Sequence, residues 1–269
     1  MERIVDKESL GDWELGLREK HGKLYDLVLL RGPGMVRKRP YCRLITSYGT
    51  FCELCMYPCT RKEFCKNHFS DEALDGTLAV GIYFQRALAG KYHNMLSDHV
   101  LMLKSSIEFS KPLALAMILA LKNKVFNIDI DEVYCLIPIP KHPAELKFDA
   151  DLGIAYNQAT ELARHVAKRF NKLLKEDILV KKEPARMAGK GRDERKHLAL
   201  RVYDVAKYDS HLRGKTILLV DDIRTSGATG HACARLLKEK LHAKKVYLLV
   251  AGRAVHLDWQ PCPSEQEIY

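Results

Sequence analysis

The sequence lacks the long apolar run that a membrane-spanning helix needs. Its longest such run lies around residues 113–121, well short of the roughly 18 to 20 residues required to cross a bilayer. The opening residues, MERIVDKESLGDWELG, are charged where a secretory signal would carry an apolar core. We therefore expect a cytoplasmic protein without a membrane partner.

Internal repeats and low-complexity stretches are also missing, which argues against a repeat architecture. Hydrophobic residues make up 47% of the 269 positions, enough to exclude wholesale disorder and to build a sizeable core. That length suits one ordinary domain with a smaller module attached. We expect a cysteine-rich module over residues 1–75, a main domain over 76–255 and a tail over 256–269.

Acidic residues are outnumbered, since 34 Asp and Glu stand against 44 Lys and Arg, for a net charge of +10. This balance favours polyanionic partners, which include phosphorylated metabolites and nucleic acid. A solvated basic surface explains it equally well, and no motif specifies nucleic acid. The segment 181–201, KKEPARMAGKGRDERKHLALR, concentrates eight basic residues with two glycines and a proline. This composition predicts a mobile basic loop.

Apolar runs alternate with helical segments after residue 75. The apolar runs that we interpret as strands are 77–84, 133–139, 178–180, 216–220 and 246–250. The helical segments are 113–122, 157–174 and 229–240. Strands that are apolar on both faces and separated by helices indicate an α/β fold with a parallel sheet covered on both sides. Residues 1–75 show only short strand-like runs, such as 26–30.

The most informative segment is 217–230, ILLVDDIRTSGATG. A buried strand ends in Asp221 and Asp222, and a short turn leads into a helix that begins near Ala228. Unpaired N–H groups and the positive end of the helix dipole attract phosphate there, and Gly227 lets the backbone approach closely. The two carboxylates could accept hydrogen bonds from vicinal hydroxyls. The segment therefore predicts a site for a ribose 5-phosphate.

This segment resembles the phosphoribosyl pyrophosphate (PRPP) signature of type I phosphoribosyltransferases, and every diagnostic position matches. The resemblance implies their parallel sheet flanked by helices, with Mg²⁺ bound alongside PRPP. It also implies that Asp221 and Asp222 hold the ribose 2′- and 3′-hydroxyls, while Arg224 occupies a position that the family leaves variable. The residues implied to wrap the 5-phosphate are Thr225, Ser226, Gly227, Ala228 and Thr229.

A second resemblance, to ComF-like phosphoribosyltransferases, covers residues 133–250. It rests on the run IPIPKH at 137–142 and on AYNQ at 155–158. In that family the first run is the pyrophosphate loop, which implies that Pro140, Lys141 and His142 meet the diphosphate. The arginines and glycine that usually precede the aromatic-Asn-Gln are replaced here by LGIA at 152–155.

The basic segment falls where type I enzymes carry a hood loop that closes over the diphosphate. Arg186 and Arg195 are the hood residues that we expect to reach the ligand. Asn157, in the aromatic-Asn-Gln, fits a plain helix cap as well as a site residue.

Two ligand pairs suggest a structural Zn²⁺ site: Cys52 with Cys55, and Cys65 with His68, separated by nine residues. Four such ligands suit a closed tetrahedral ion, which supports folding and not catalysis. Cys59 is the alternative to Cys65 or His68. ComF-like proteins commonly begin with a zinc module. The cysteine pairs near the start of the chain and the motifs after residue 133 therefore support the same family resemblance.

These features predict a phosphoribosyltransferase that uses PRPP and Mg²⁺ and transfers phosphoribose to a nitrogenous small-molecule acceptor. The expected catalytic residues are Asp221, Asp222, Lys141, Arg186 and Arg195. The alternative is a PRPP- or nucleotide-sensing regulator, or a nucleic-acid-associated binding protein, on the same fold. No residue specifies the acceptor base. Type I relatives are often dimers, so the resemblance also allows a homodimer.

Overall fold

The computed structural model describes residues 2–88, 91–126, 128–185 and 189–261. The strands are β1 (Glu2–Leu10), β2 (Trp13–Lys20), β3 (Lys23–Arg31), β4 (Arg39–Arg43), β5 (Gly76–Tyr83), β6 (Val133–Pro138), β7 (Lys147–Asp149), β8 (Ile154–Tyr156), β9 (Leu173–Leu174), β10 (Leu179–Lys181), β11 (Tyr203–Val205), β12 (Thr216–Arg224) and β13 (Lys245–Ala254). The helices are α1 (Met95–Met102), α2 (Ser110–Lys122), α3 (Gln158–Phe170), α4 (Arg192–Val202) and α5 (Ala228–Leu241).

A five-stranded parallel sheet forms the centre of the fold, in the order β5-β13-β12-β6-β9. Its middle strand, β12, buries Leu218, Leu219 and Val220 completely. Helices α2 and α3 pack on each other and on the sheet, and α5 packs on β12 and β13. The predicted α/β class with a parallel sheet is confirmed, and β12 lies where a ligand at the carboxyl ends of the strands would meet several loops.

Three predictions after residue 170 are wrong. The helix expected over 157–174 ends at Phe170, and Leu173 and Leu174 form β9 instead. The run at 178–180 is not a strand of the parallel sheet, because β10 pairs antiparallel with β11 outside it, and the short β9 takes the edge position instead. The basic segment is not a loop throughout, because α4 begins at Arg192 and carries Asp193 and Glu194 in its first turn. Acidic residues there favour the helix by meeting the positive end of its dipole.

The N-terminal region contains more structure than its sequence suggested. Strands β1 to β4 form an antiparallel sheet, so the expectation of only short strand-like runs is wrong. Trp13, Leu15 and Leu17, at every second position of β2, are buried, while Glu14 and Arg18 are only partly buried, as in a sheet with one well-covered face. Strands β1 and β2 pack on α2. This cover explains why α2 is buried on all sides.

The helices of the described residues are short or only partly apolar. None of them combines the length and the apolar character needed to cross a membrane.

Candidate functional site

The predicted phosphate loop connects the end of β12 to the start of α5. Gly227 is the N-cap of α5 and has a φ of 85°, a left-handed conformation that side chains disfavour. A Cβ at Gly227 would stand 2.5 Å from Nη2 of Arg224. The first turn of α5 has no acidic residue, so its N–H groups and positive dipole end can meet an anion.

A small cavity of about 50 Å³ opens at this loop. It is lined by Asp221, residues 223–230, Leu248 of β13 and Arg195 of α4. The five residues expected to wrap a phosphate therefore share one cavity with a cationic residue from the basic segment. Nε of Arg195 is buried and has no hydrogen-bond partner among the described residues. An anion is the natural partner for such a group.

The two aspartates are held by the backbone at the end of β12. The Asp222 amide donates to Oδ1 of Asp221 at 3.0 Å, and the Ile223 amide donates to Oδ1 of Asp222 at 2.8 Å. Burial and the charge of Asp222 raise the pKa of Asp221 to about 7, against the opposing effect of Lys141. A ligand that brought hydroxyl donors or a cation would stabilise the ionised form of Asp221.

Lys141 stands near the acid pair, in the loop that follows β6. Burial opposes its protonation, but the negative charges of Asp221, Asp222 and Glu145 outweigh burial and raise its pKa. Lys141 is therefore cationic at neutral pH. Its position lets it act as a point charge for an anionic group that enters beside the aspartates.

The backbone around Lys141 is tied to both neighbouring elements. The Ile139 amide donates to the Val220 carbonyl at 2.9 Å, and Nδ2 of Asn157 donates to the Ile139 carbonyl at 2.8 Å. The Asn157 side chain also caps α3, so it connects the start of this helix to the loop that carries Lys141. Nδ1 of His142 accepts from the Ala144 amide at 3.2 Å, a local cap that occupies one ring nitrogen. Only the other remains for the predicted diphosphate contact.

Glu145 connects this loop to the start of the basic segment. Its carboxylate pairs with the buried Lys181 at 2.5 Å and accepts from the Ala185 amide at 3.0 Å. The chain is thus held beside the Lys141 loop up to residue 185. Arg186, the other expected hood residue, lies outside the described residues.

Sequence reasoning missed the residues beneath the phosphate loop. Arg224 is 1% exposed. It donates to Oγ1 of Thr77 at 2.7 Å and pairs with the buried Glu72 at 2.7 Å. The proximity of its guanidinium to Gly227 puts this pair directly under the loop. No local pattern could reveal it, because Glu72 is 152 positions away in sequence.

Three of the predicted metal ligands come together. The ligand atoms of Cys52, Cys55 and Cys65 all lie within 4.8 Å of one another, and all three residues are buried. The sulfurs of Cys55 and Cys65 are 3.5 Å apart, close to the ~3.8 Å that two thiolates on one tetrahedral Zn²⁺ would have. The three cysteines therefore fit a metal ion.

The fourth predicted ligand is not brought into that group. Nδ1 of His68 lies 3.1 Å from the Phe69 carbonyl, while its Nε2 is buried without a hydrogen-bond partner in the described part of the chain. Cys59, the alternative ligand, is disulfide-bonded and offers no free thiolate.

A comparison with models of known protein families finds no match, and a search among curated proteins finds no relative. The assignment of function consequently depends on the residues of the site.

Proposed function

We propose that this chain is a ComF-like type I phosphoribosyltransferase that binds PRPP with Mg²⁺ and transfers its phosphoribose to a nitrogenous acceptor. The observation that carries the proposal is the junction of β12 and α5. There, four residues separate the acid pair from the glycine-capped start of α5, and Arg195 lines the cavity at this junction. The proposal thereby assigns phosphate binding to the loop before α5 and diol binding to the adjoining end of β12.

The two halves of the ligand would be held differently. The 5-phosphate would receive hydrogen bonds from the N–H groups of the loop and from the hydroxyls of Thr225, Ser226 and Thr229. The ribose hydroxyls would donate to Asp221 and Asp222. Such donation stabilises ionised carboxylates, which offsets the burial that raises the pKa of Asp221.

Transfer would break the bond between C1 of the ribose and the diphosphate oxygen, whose electron pair leaves with the diphosphate. The acceptor nitrogen would donate its electron pair to C1 and release its proton. Lys141 and Arg195 would compensate the charge that develops on the departing diphosphate, which is electrostatic catalysis by groups already in place. Mg²⁺ bound with PRPP would add further charge compensation.

Calorimetry with PRPP and Mg²⁺ tests the proposal. We expect the wild-type protein to bind and the double variant Asp221→Asn, Asp222→Asn to lose binding. Asp177→Asn, an exposed aspartate paired with Lys207, is the matched control and should bind normally. Unchanged binding by the double variant would remove the proposal.

A screen for diphosphate release with purine and pyrimidine bases then separates the two hypotheses. Release with one class of base would show turnover and name the acceptor class. Tight PRPP binding with no release for any base would favour the sensing function on the same fold.

We further propose that the three cysteines hold a structural Zn²⁺ and that His68, which lies outside the cysteine group in the structure, moves in to supply the fourth ligand. The buried thiols and the unsatisfied Nε2 of His68 support this set. Elemental analysis should find about one zinc per chain. Cys65→Ser should lose the metal, and His68→Ala should weaken its retention. A wild-type protein purified without zinc would contradict the assignment.

A further inference from the structure

A buried arginine connects the phosphate loop to the cysteine centre, which consists of Cys52, Cys55 and Cys65. Arg253, near the end of β13, is 2% exposed. Its Nε donates to the Cys55 carbonyl at 2.8 Å, and its Nη1 donates to the carbonyls of Arg224 at 3.0 Å and Thr225 at 2.7 Å. The guanidinium is planar and rigid. A displacement of the Cys55 backbone is therefore transmitted to the first residues of the loop.

The chain that follows Cys65 forms a second connection, because it anchors α4. Arg192 donates from its two terminal nitrogens to the carbonyls of Lys66 and His68. Three residues further along the same helix, Arg195 lines the phosphate cavity. The segment after the third cysteine thus fixes the helix that supplies a cation to the site.

The same segment contacts α4 through its side chains. Lys196 pairs with Asp71. Lys196 Nζ and the Arg192 guanidinium carbon also stand over the Phe69 ring, at 5.0 and 4.7 Å from its centre. Contacts of this kind hold a cation in one orientation. Residues 66–71 therefore anchor α4, and we call them the seat of α4.

The third connection is Glu72, at the end of the same segment. Its carboxylate pairs with Arg224 at 2.7 Å, and Arg224 lies against Gly227. Glu72 is buried, so its position follows from the backbone that carries it. Each of these connections begins within the cysteine centre or the seven residues after it and ends at the phosphate loop or at Arg195.

We propose that occupancy of the three-cysteine centre by its metal sets the affinity of the phosphate loop for its anion, through Arg253, the seat of α4 and the Glu72–Arg224 pair. Metal binding fixes Cys55 and Cys65 relative to each other, and its free energy is available to order the chain that they carry. Loss of the metal frees the segment 65–72 and with it the loop and α4. The inference rests on the proposed function, because it regulates the site assigned to PRPP.

The test compares metal-loaded protein with protein from which metal and chelator have both been removed. We expect the metal-free form to bind PRPP–Mg²⁺ at least about fivefold more weakly, the lower end of typical coupling between sites. Without any ligand, hydrogen exchange should rise at the amides of residues 224–230 and of α4 and stay unchanged in β6 and α2. This second readout does not depend on turnover.

A variant that leaves the cysteines intact tests the same connection in metal-loaded protein. Arg192→Gln removes the bonds to the segment after Cys65, so we expect normal metal content, weaker PRPP binding and faster exchange in α4. Arg201→Gln is the matched control. It lies on the same helix but pairs with the exposed Glu183, so it should behave as wild type.

The outcomes separate this inference from the proposed function. Equal PRPP affinity with and without metal overturns the coupling and leaves the proposed function intact. Failure of the metal-loaded protein to bind PRPP overturns both. If metal removal unfolds the chain, the Arg192→Gln variant tests the coupling instead. Normal metal content with unchanged PRPP affinity would overturn the coupling. Normal metal content with reduced PRPP affinity would support it.

Discussion

Replacing Asp221 by Asn should change how the stability of the ligand-free protein depends on pH. The pKa of Asp221 is raised from 3.8 to about 7 by burial and by Asp222, so the folded chain binds this proton more tightly than the unfolded chain does. The resulting stability is fully present below about pH 4 and is lost as the pH rises to about 7. The free energy of unfolding of the wild-type protein is therefore reduced at neutral pH, and the uncharged amide of Asp221→Asn removes this reduction.

The size of this penalty follows from the width of the window. The interval from 3.8 to about 7 covers roughly three pH units, and each unit corresponds to about 1.4 kcal/mol, which gives an upper limit of about 4 kcal/mol. Between pH 5 and pH 8 only about two of those units are crossed. Asp221→Asn should therefore gain about 3 kcal/mol over wild type across that interval.

Urea denaturation of both proteins at pH 5 and pH 8, without ligand, measures the difference. Asp177→Asn is the control, because Lys207 lowers the pKa of this exposed carboxyl through a hydrogen bond. Its titration therefore lies below pH 5, and its removal should leave the stability difference between pH 5 and pH 8 as in wild type. If the free-energy difference between Asp221→Asn and wild type were the same at both pH values, Asp221 would not hold a raised pKa.

Two further substitutions test the support of the phosphate loop. Gly227→Ala meets both a φ of 85° and the Arg224 guanidinium, so it should be destabilised by about 1–3 kcal/mol and bind PRPP at least tenfold more weakly by calorimetry. Gly214 has a φ of 69° with no atom within 4 Å of an added Cβ, so Gly214→Ala introduces backbone strain alone and should bind PRPP normally. Equal PRPP binding by the two variants would contradict the close contact between Gly227 and the Arg224 guanidinium. Arg224→Met leaves Glu72 buried without its guanidinium and should destabilise the protein by about 3–5 kcal/mol in urea. Adding Glu72→Gln should recover most of that loss, and additive effects of the two changes would show that the pair does not interact.

The phosphate loop could be predicted from the sequence because its parts are contiguous. A buried strand, an acid pair, a glycine and a helix start follow one another within 217–230, and the structure has β12 and α5 at those positions. Strand β2 was missed, although Trp13, Leu15 and Leu17 stand at every second position of its sequence, the spacing of a strand with one buried face. The run at 178–180 was too short to show whether it joins the main sheet.

The supporting contacts could not be predicted in this way. Arg253 and Cys55 are 198 positions apart, and Arg192 and Lys66 are 126 apart, so only the folded topology brings them together. Nothing local distinguishes these arginines from solvated ones. Net positive charge was visible in the composition, but its concentration behind the phosphate loop was not.

The placement of charge explains which part of a ligand each side of the loop would hold. Arg224 and Arg253 lie buried behind the loop, where a cation is stable only if it is paired or fully hydrogen-bonded. Glu72 pairs with the first, and backbone carbonyls satisfy the second, whose pKa burial lowers. Their remaining positive field adds to the dipole of α5 and favours an anion, while the acid pair beside it favours hydroxyl donors or a cation. A phosphorylated sugar carries both an anionic group and hydroxyl donors, whereas an inorganic anion alone could use only the loop side of the site.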